Sequence, residues 1–148
     1  MLLFDEDWKI NNFAIQNYFR TELLRKDIAL CSNGIVDEKA LYNNIVLEKI
    51  LSFDEAIGYL YVLTGSTMGG KILSIKIESN FLNTPFEKAN NYFKAFDANT
   101  NAMWFTFLHF LDIYLQSADS YEERQKNILQ GAIKCYKAVS RGFDAVGQ

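Results

Sequence analysis

Apolar residues recur at helical spacing over nearly the whole chain, and the polar residues between them supply starts and stops. From Asn12 to Cys31 the positions Phe13, Tyr18, Phe19, Leu23, Leu24 and Ile28 keep helical spacing, and Ser32-Asn33-Gly34 ends the run. Arg20, Glu22, Arg25, Lys26 and Asp27 are read as its polar, solvated face, with Glu22 spaced to pair with Lys26. Val36 to Ile50 reads as a second helix, interrupted near Asn43-Asn44. Ser52-Phe53-Asp54-Glu55 has capping-box spacing, with Ser52 accepting from the Glu55 backbone N–H and the Glu55 carboxylate reaching back. A third helix starts there and runs through Ala56, Ile57, Leu60, Tyr61 and Leu63 into a glycine cluster. Beyond it Ile72, Leu73, Ile75 and Ile77 resume the apolar pattern, with an isolated strand-like alternation over Lys71 to Ile77.

Thr84-Pro85-Phe86-Glu87 starts a short helix reaching Phe93 or Phe96, because proline at the first helical position has its φ preset and needs no N–H partner. Asp97 to Asn101 is a polar loop. Met103 to Leu115, with Trp104, Phe105, Phe107, Leu108, Phe110 and Leu111, predicts a largely buried helix. Ser120-Tyr121-Glu122-Glu123 caps the last helix, which passes through Ile128, Leu129, Ala132, Ile133, Tyr136, Val139 and Phe143. No hairpin, repeat or low-complexity segment interrupts the series, so an all-α, multi-helical single domain over residues 1–148 follows.

Composition supports a packed core: 49% of the 148 residues are hydrophobic and 15% aromatic, with 12 Phe, 8 Tyr and 2 Trp. Eighteen acidic against 15 basic residues give a net charge of −3, which disfavours a nucleic-acid backbone as partner. No apolar run has membrane-spanning length, and Asp5-Glu6-Asp7 is acidic where a signal peptide is basic, so a cytoplasmic protein is expected. Cys31 and Cys135 make no disulfide framework and read as small buried hydrophobes. One histidine, His109, excludes a His-pair metal site, and no metal ligands are assigned.

Gly65, Gly69 and Gly70 fall within six positions of a helical segment, at a cost of about 1 kcal/mol each against alanine. Two readings offset that cost. A Gly-x-x-x-Gly face lets two helix backbones approach, or a flat ligand lies against bare backbone. A phosphate loop fails, because Gly70-Lys71-Ile72 lacks the hydroxyl residue after the lysine.

The run Gly58-Tyr59-Leu60-Tyr61-Val62-Leu63-Thr64-Gly65-Ser66-Thr67-Met68-Gly69-Gly70 resembles the distal-helix signature of bacterial, biliverdin-forming heme oxygenases, Tyr-Val-Leu-Glu-Gly-Ser-Thr-Leu-Gly-Gly. Thr64 and Met68 stand where that family has Glu and Leu. Weaker matches flank it: Arg20 to Ile28, with Leu23-Leu24 and Asp27; Trp104 with Phe107; and Ala132 with Tyr136. The resemblance covers about residues 18 to 146.

It implies a heme oxygenase-like bundle in which heme is both substrate and cofactor, cleaved with oxygen and electrons from a reductase to biliverdin, iron and carbon monoxide. Tyr61, Gly65, Ser66, Gly69 and Gly70 would line the distal heme face, and the Ser66 and Thr67 hydroxyls would back-bond to the helix or hold a water. The family's proximal histidine belongs to an N-terminal helix that this sequence lacks, and His109 reads as a core or rim histidine. No catalytic residue is assigned. Either the chain is a shortened heme oxygenase, or it is a non-catalytic helical binding protein of the same fold, with a linear tetrapyrrole as a further ligand. An uncovered face where the missing helices would pack predicts a homodimer.

Overall fold

A computed structural model describes residues 3–32 and 48–146. It is helical throughout, with no strand among the described residues: α1 (Asp5–Ile10), α2 (Thr21–Cys31), α3 (Phe53–Asn80), α4 (Asn91–Lys94), α5 (Thr100–Gln116) and α6 (Tyr121–Val146), with 3-10 turns at Ile15–Tyr18, Pro85–Lys88 and Asp97–Asn99. The all-α, multi-helical expectation therefore holds. The helix expected from Val36 lies outside the described residues except for Glu48 to Ile50, which are not helical.

Several expected boundaries move, each for a local reason. The single helix expected over Asn12 to Cys31 does not form as one piece: Asn12, just past the end of α1, is left-handed at φ 53°, a region asparagine tolerates, and its successors do not enter an α-helix. A 3-10 turn follows, and α2 begins only at Thr21. Pro85 starts a 3-10 turn, and the helix expected to reach Phe93 or Phe96 is interrupted at Ala89-Asn90 before α4. Lys71 to Ile77 is helix, and α3 runs 28 residues through all three glycines. The polar segment after Asp97 winds directly into α5.

The chain divides into two compact units, with boundaries inside α3 after Leu63 and inside α5 after Phe105. The described part of the first unit comprises residues 3–14, 48–63 and 106–146. Its core is an aromatic cluster. Trp8 meets Phe53 edge-on at 4.5 Å, Phe13 lies 4.3 Å from Phe110, and Tyr114 closes on Phe53 at 5.4 Å. Phe107 and Ile57 are fully buried beside it. Only one face of α5 enters this core, so the expectation of a largely buried helix is corrected: Phe105 and Ile113 are more than half exposed.

Gly58 and Gly131 set the crossing of α3 with α6. A Cβ on Gly58 would stand 2.0 Å from the Ile128 carbonyl oxygen, and one on Gly131 would stand 2.2 Å from that of Glu55. The start of α3 is fixed by the expected cap, with the Glu55 N–H donating to Ser52 Oγ at 3.2 Å. The carboxylate reaches back one residue further than a standard capping box, accepting from the Leu51 N–H at 2.8 Å.

The second unit comprises 15–32 and 64–105 among the described residues. Two residues assigned to the solvated face of α2 are buried instead. Asp27 is the one buried residue of that helix. It accepts from the Asn91 N–H at 2.9 Å, the Asn91 amide at 2.7 Å and the Tyr92 N–H at 2.7 Å, so a carboxylate from α2 caps α4. Arg20 stacks on the Tyr92 ring at 4.3 Å. On the surface Glu22 pairs with Arg25. Tyr18 donates to the Met103 carbonyl at 3.0 Å.

Candidate functional site on the glycine-bearing helix

Each glycine of the α3 cluster meets different surroundings. Gly70 is buried because the α4 backbone lies against it: a Cβ there would stand 2.4 Å from the Phe93 carbonyl oxygen. Gly65 faces the Trp104 ring, where a Cβ would make ordinary contact at 3.5 Å. Gly69 is exposed, and a Cβ on it would meet nothing within 4 Å. The close-packing explanation therefore accounts for Gly70, and for Gly58 and Gly131 elsewhere, and leaves Gly69 unexplained. At 100° per residue Gly65 and Gly69 share one face of α3. Exposed Met68, Ile72 and Leu73 lie beside that strip.

Ser66 is exposed, and its Oγ accepts from Arg20 Nη2 at 3.4 Å. Burial lowers the affinity of Arg20 for its proton, and the Tyr92 hydroxyl opposes that shift. Thr67 is buried and back-bonds to the Thr64 carbonyl at 2.6 Å. Gly65, Ser66, Gly69 and Gly70 thus fall within one unit. Tyr61 belongs to the other, where its ring lies 6.2 Å from Phe107 and walls an apolar cavity of about 250 Å³ with Leu111, Leu115, Ile128 and Leu129.

His109 is exposed on α5, in the unit that holds Tyr61. Cys135 is buried, and its thiol is pushed up to about 11 by desolvation, which suits an inert core residue. Cys31 is exposed, contrary to its reading as a buried hydrophobe, because its side of α2 is not covered. No three His, Cys, Asp or Glu side chains gather as metal donors among the described residues. No helix of the described residues is long and apolar enough to cross a membrane.

Arg20 is the residue at this site that spacing alone misassigns. Its buried position depends on Tyr92 and Ser66, respectively 72 and 46 residues away in sequence, and no local signal carries that. Comparisons of the chain with family models, curated proteins and solved structures find no match.

Proposed function

We propose that this protein is heme oxygenase-like and binds heme against the face of α3 that carries Gly69, with the Trp104 ring beside it over Gly65. The observation that carries this reading is Gly69. An exposed glycine inside a helix costs about 1 kcal/mol, and here no neighbouring backbone uses the space its missing Cβ leaves. Beside it Ile72 and Leu73 offer apolar flanks, which suits a flat ring resting on bare backbone. The resemblance of residues 58–70 to the distal-helix signature points to the same ligand. When bound, heme supplies the iron at which oxygen and electrons from a reductase open the ring to biliverdin. The chain's own contribution is to seat the ring face, with Ser66 and Arg20 as polar groups beside it. The fit is to the ring face alone, and no residue is assigned as ligand to the iron.

Hemin titration tests the proposal. The wild-type chain should give a saturable Soret band at micromolar protein. Gly69→Ala should stabilise the ligand-free protein by about 1 kcal/mol, raising Tm by about 3 °C, while weakening hemin binding at least tenfold. A wild-type chain with no heme-dependent absorbance, or a Gly69→Ala variant that binds hemin equally well, would remove this reading.

One observation favours a second reading, a helical interaction protein that pairs with its own copy. Leu129, Ile133, Tyr136 and Phe143 are 59%, 46%, 70% and 75% exposed. Their spacing of four, three and seven residues forms a single apolar stripe along α6. Sedimentation should then show a dimer, and Ile133→Glu should convert it to monomer. A wild-type monomer at 100 µM, roughly the concentration at which a weak dimer is populated, would exclude the pairing.

A further inference from the structure

The face of α3 opposite the glycine strip carries a polar stripe. Thr67, Lys71, Ser74 and Glu78 are spaced four, three and four residues apart, about 180° around the helix from Gly65 and Gly69. Such a stripe normally faces water. Here Thr67 and Ser74 are 2% and 4% exposed, and the stripe forms one wall of a cavity of about 360 Å³ within the second unit. Lys94, Asp97, Thr100 and Asn101 form the other wall, where the 17-residue α5 begins.

The hydrogen-bonding inventory of this cavity is incomplete on one side. Thr67 Oγ1 donates to the Thr64 carbonyl. Glu78 is engaged twice, by Lys94 Nζ at 2.7 Å and by the Asn90 amide at 2.9 Å, and these two partners hold its carboxyl below the ordinary range. The Ser74 side chain, by contrast, makes no hydrogen bond to the described residues. Among the described residues no side-chain oxygen or nitrogen sealed from solvent lacks a partner, so the Ser74 hydroxyl keeps its opening onto the cavity. A hydroxyl on a residue this deeply buried, without a partner and bordering a polar cavity, is a donor held ready for a ligand.

The charges indicate which ligand. With Glu78 and Lys94 mutually neutralised, the uncommitted groups are the Lys71 ammonium, one helical turn from Ser74, and the Asp97 carboxylate near the α5 N-terminus. The positive end of the α5 dipole adds to Lys71. We infer that this cavity is a binding site for a small oxyanion, a phosphate or carboxylate group of a small molecule, held by Lys71 Nζ, the Ser74 hydroxyl and the N-terminal end of α5. Asp97 opposes the anion and limits its affinity. The site is independent of the heme reading, since it occupies the opposite face of α3.

The test is an ¹H–¹⁵N NMR titration of the full chain with inorganic phosphate, and separately with malonate, at ionic strength held constant with KCl. Saturable shifts are expected at the Ser74, Thr100 and Asn101 amides, with Kd about 1 mM for at least one of the two probes. Lys71→Gln should weaken binding about tenfold and Ser74→Ala about threefold, while Asp97→Asn should tighten it about threefold. Preference for phosphate over malonate, or the reverse, identifies the oxyanion. Shifts with both probes that never saturate, or binding unchanged in both Lys71→Gln and Asp97→Asn, would overturn the site. Lys71 and Asp97 are exposed, so those two variants retain the fold and keep the test decisive if Ser74→Ala does not.

Discussion

Gly58→Ala is expected to destabilise the protein by about 4 kcal/mol or more and to lower Tm by at least about 10 °C, as followed by circular dichroism. Helix propensity alone predicts the opposite sign, since alanine replaces glycine in a helix interior at a gain of about 1 kcal/mol. Packing decides. The new methyl group would stand 2.0 Å from the Ile128 carbonyl oxygen and 2.6 Å from the Ala132 nitrogen, and both are backbone atoms that no rotamer change can move. α3 and α6 must separate, which opens the contacts of Glu55, Ile57 and Ile128 along the crossing. Gly131→Ala acts on the same crossing from the other side, meeting the Glu55 backbone at 2.2 Å. The two substitutions should therefore be strongly non-additive, the second costing much less once the helices have parted. A Gly58→Ala protein that melts at or above the wild-type temperature would show that this crossing is not as close as described.

Lys134→Met should cost about 3–5 kcal/mol at pH 7, because it strands a buried carboxylate. Lys134 Nζ lies 2.6 Å from Glu55 Oε1, with only 13% and 8% of the two side chains exposed. Burial pushes the Glu55 carboxyl up, but the Lys134 hydrogen bond, the Leu51 N–H and the lysine's charge together outweigh it and hold the group below its ordinary 4.5. The pair's contribution is therefore fully present above pH 4.5 and is lost as pH falls through the lowered value in the folded state. In the methionine variant the sign reverses, since burial without the cation raises the Glu55 carboxyl and protonation relieves the penalty. The stability gap between wild type and variant should thus narrow as pH drops from 7 towards 4. Urea melts across that range measure it, and a pH-independent gap would exclude stranded charge as the cause. Adding Glu55→Gln to the variant should restore much of the loss at pH 7, although the Leu51 N–H then meets a weaker acceptor.

What the sequence made legible was what local chemistry controls. Ser52 and Glu55 announce the start of α3, Ser120 precedes the start of α6, and the apolar period places α5 within one turn at each end. The break at Asn12 was not legible. Asparagine is a permitted helix residue as well as a tolerant left-handed one, so its identity does not decide between the two. Asp27 and Arg20 were misplaced for a related reason. Asp27 lies between Leu23 and Leu24 on the helical wheel, so its position carried a local signal, but the partners that hold the two residues, Asn91 and Tyr92, lie more than 60 residues away.

The glycines show the same division at the candidate site. Spacing identifies Gly65 and Gly69 as a Gly-x-x-x-Gly pair, but the contacts that need a missing Cβ belong to Gly58, Gly70 and Gly131. The partner backbone decides, and it comes from α6 for Gly58, from α3 for Gly131 and from the segment around Phe93 for Gly70. Hydrophobic count overstates the burial of α5, because a helix with apolar residues on all sides still buries only the face its neighbours cover.

The contrast between the two thiols gives the molecule an internal clock. Cys31, on the surface, is open to an alkylating reagent in the folded state, whereas Cys135, at 3% exposure and with its proton held to about 11, reacts only when α6 is released. One equivalent of reagent is therefore consumed at the speed of ordinary thiol chemistry. At reagent concentrations that outpace reclosing, the second is consumed at the rate at which the first unit opens, and at lower concentrations its rate measures the fraction of molecules in which the α3–α6 crossing is apart.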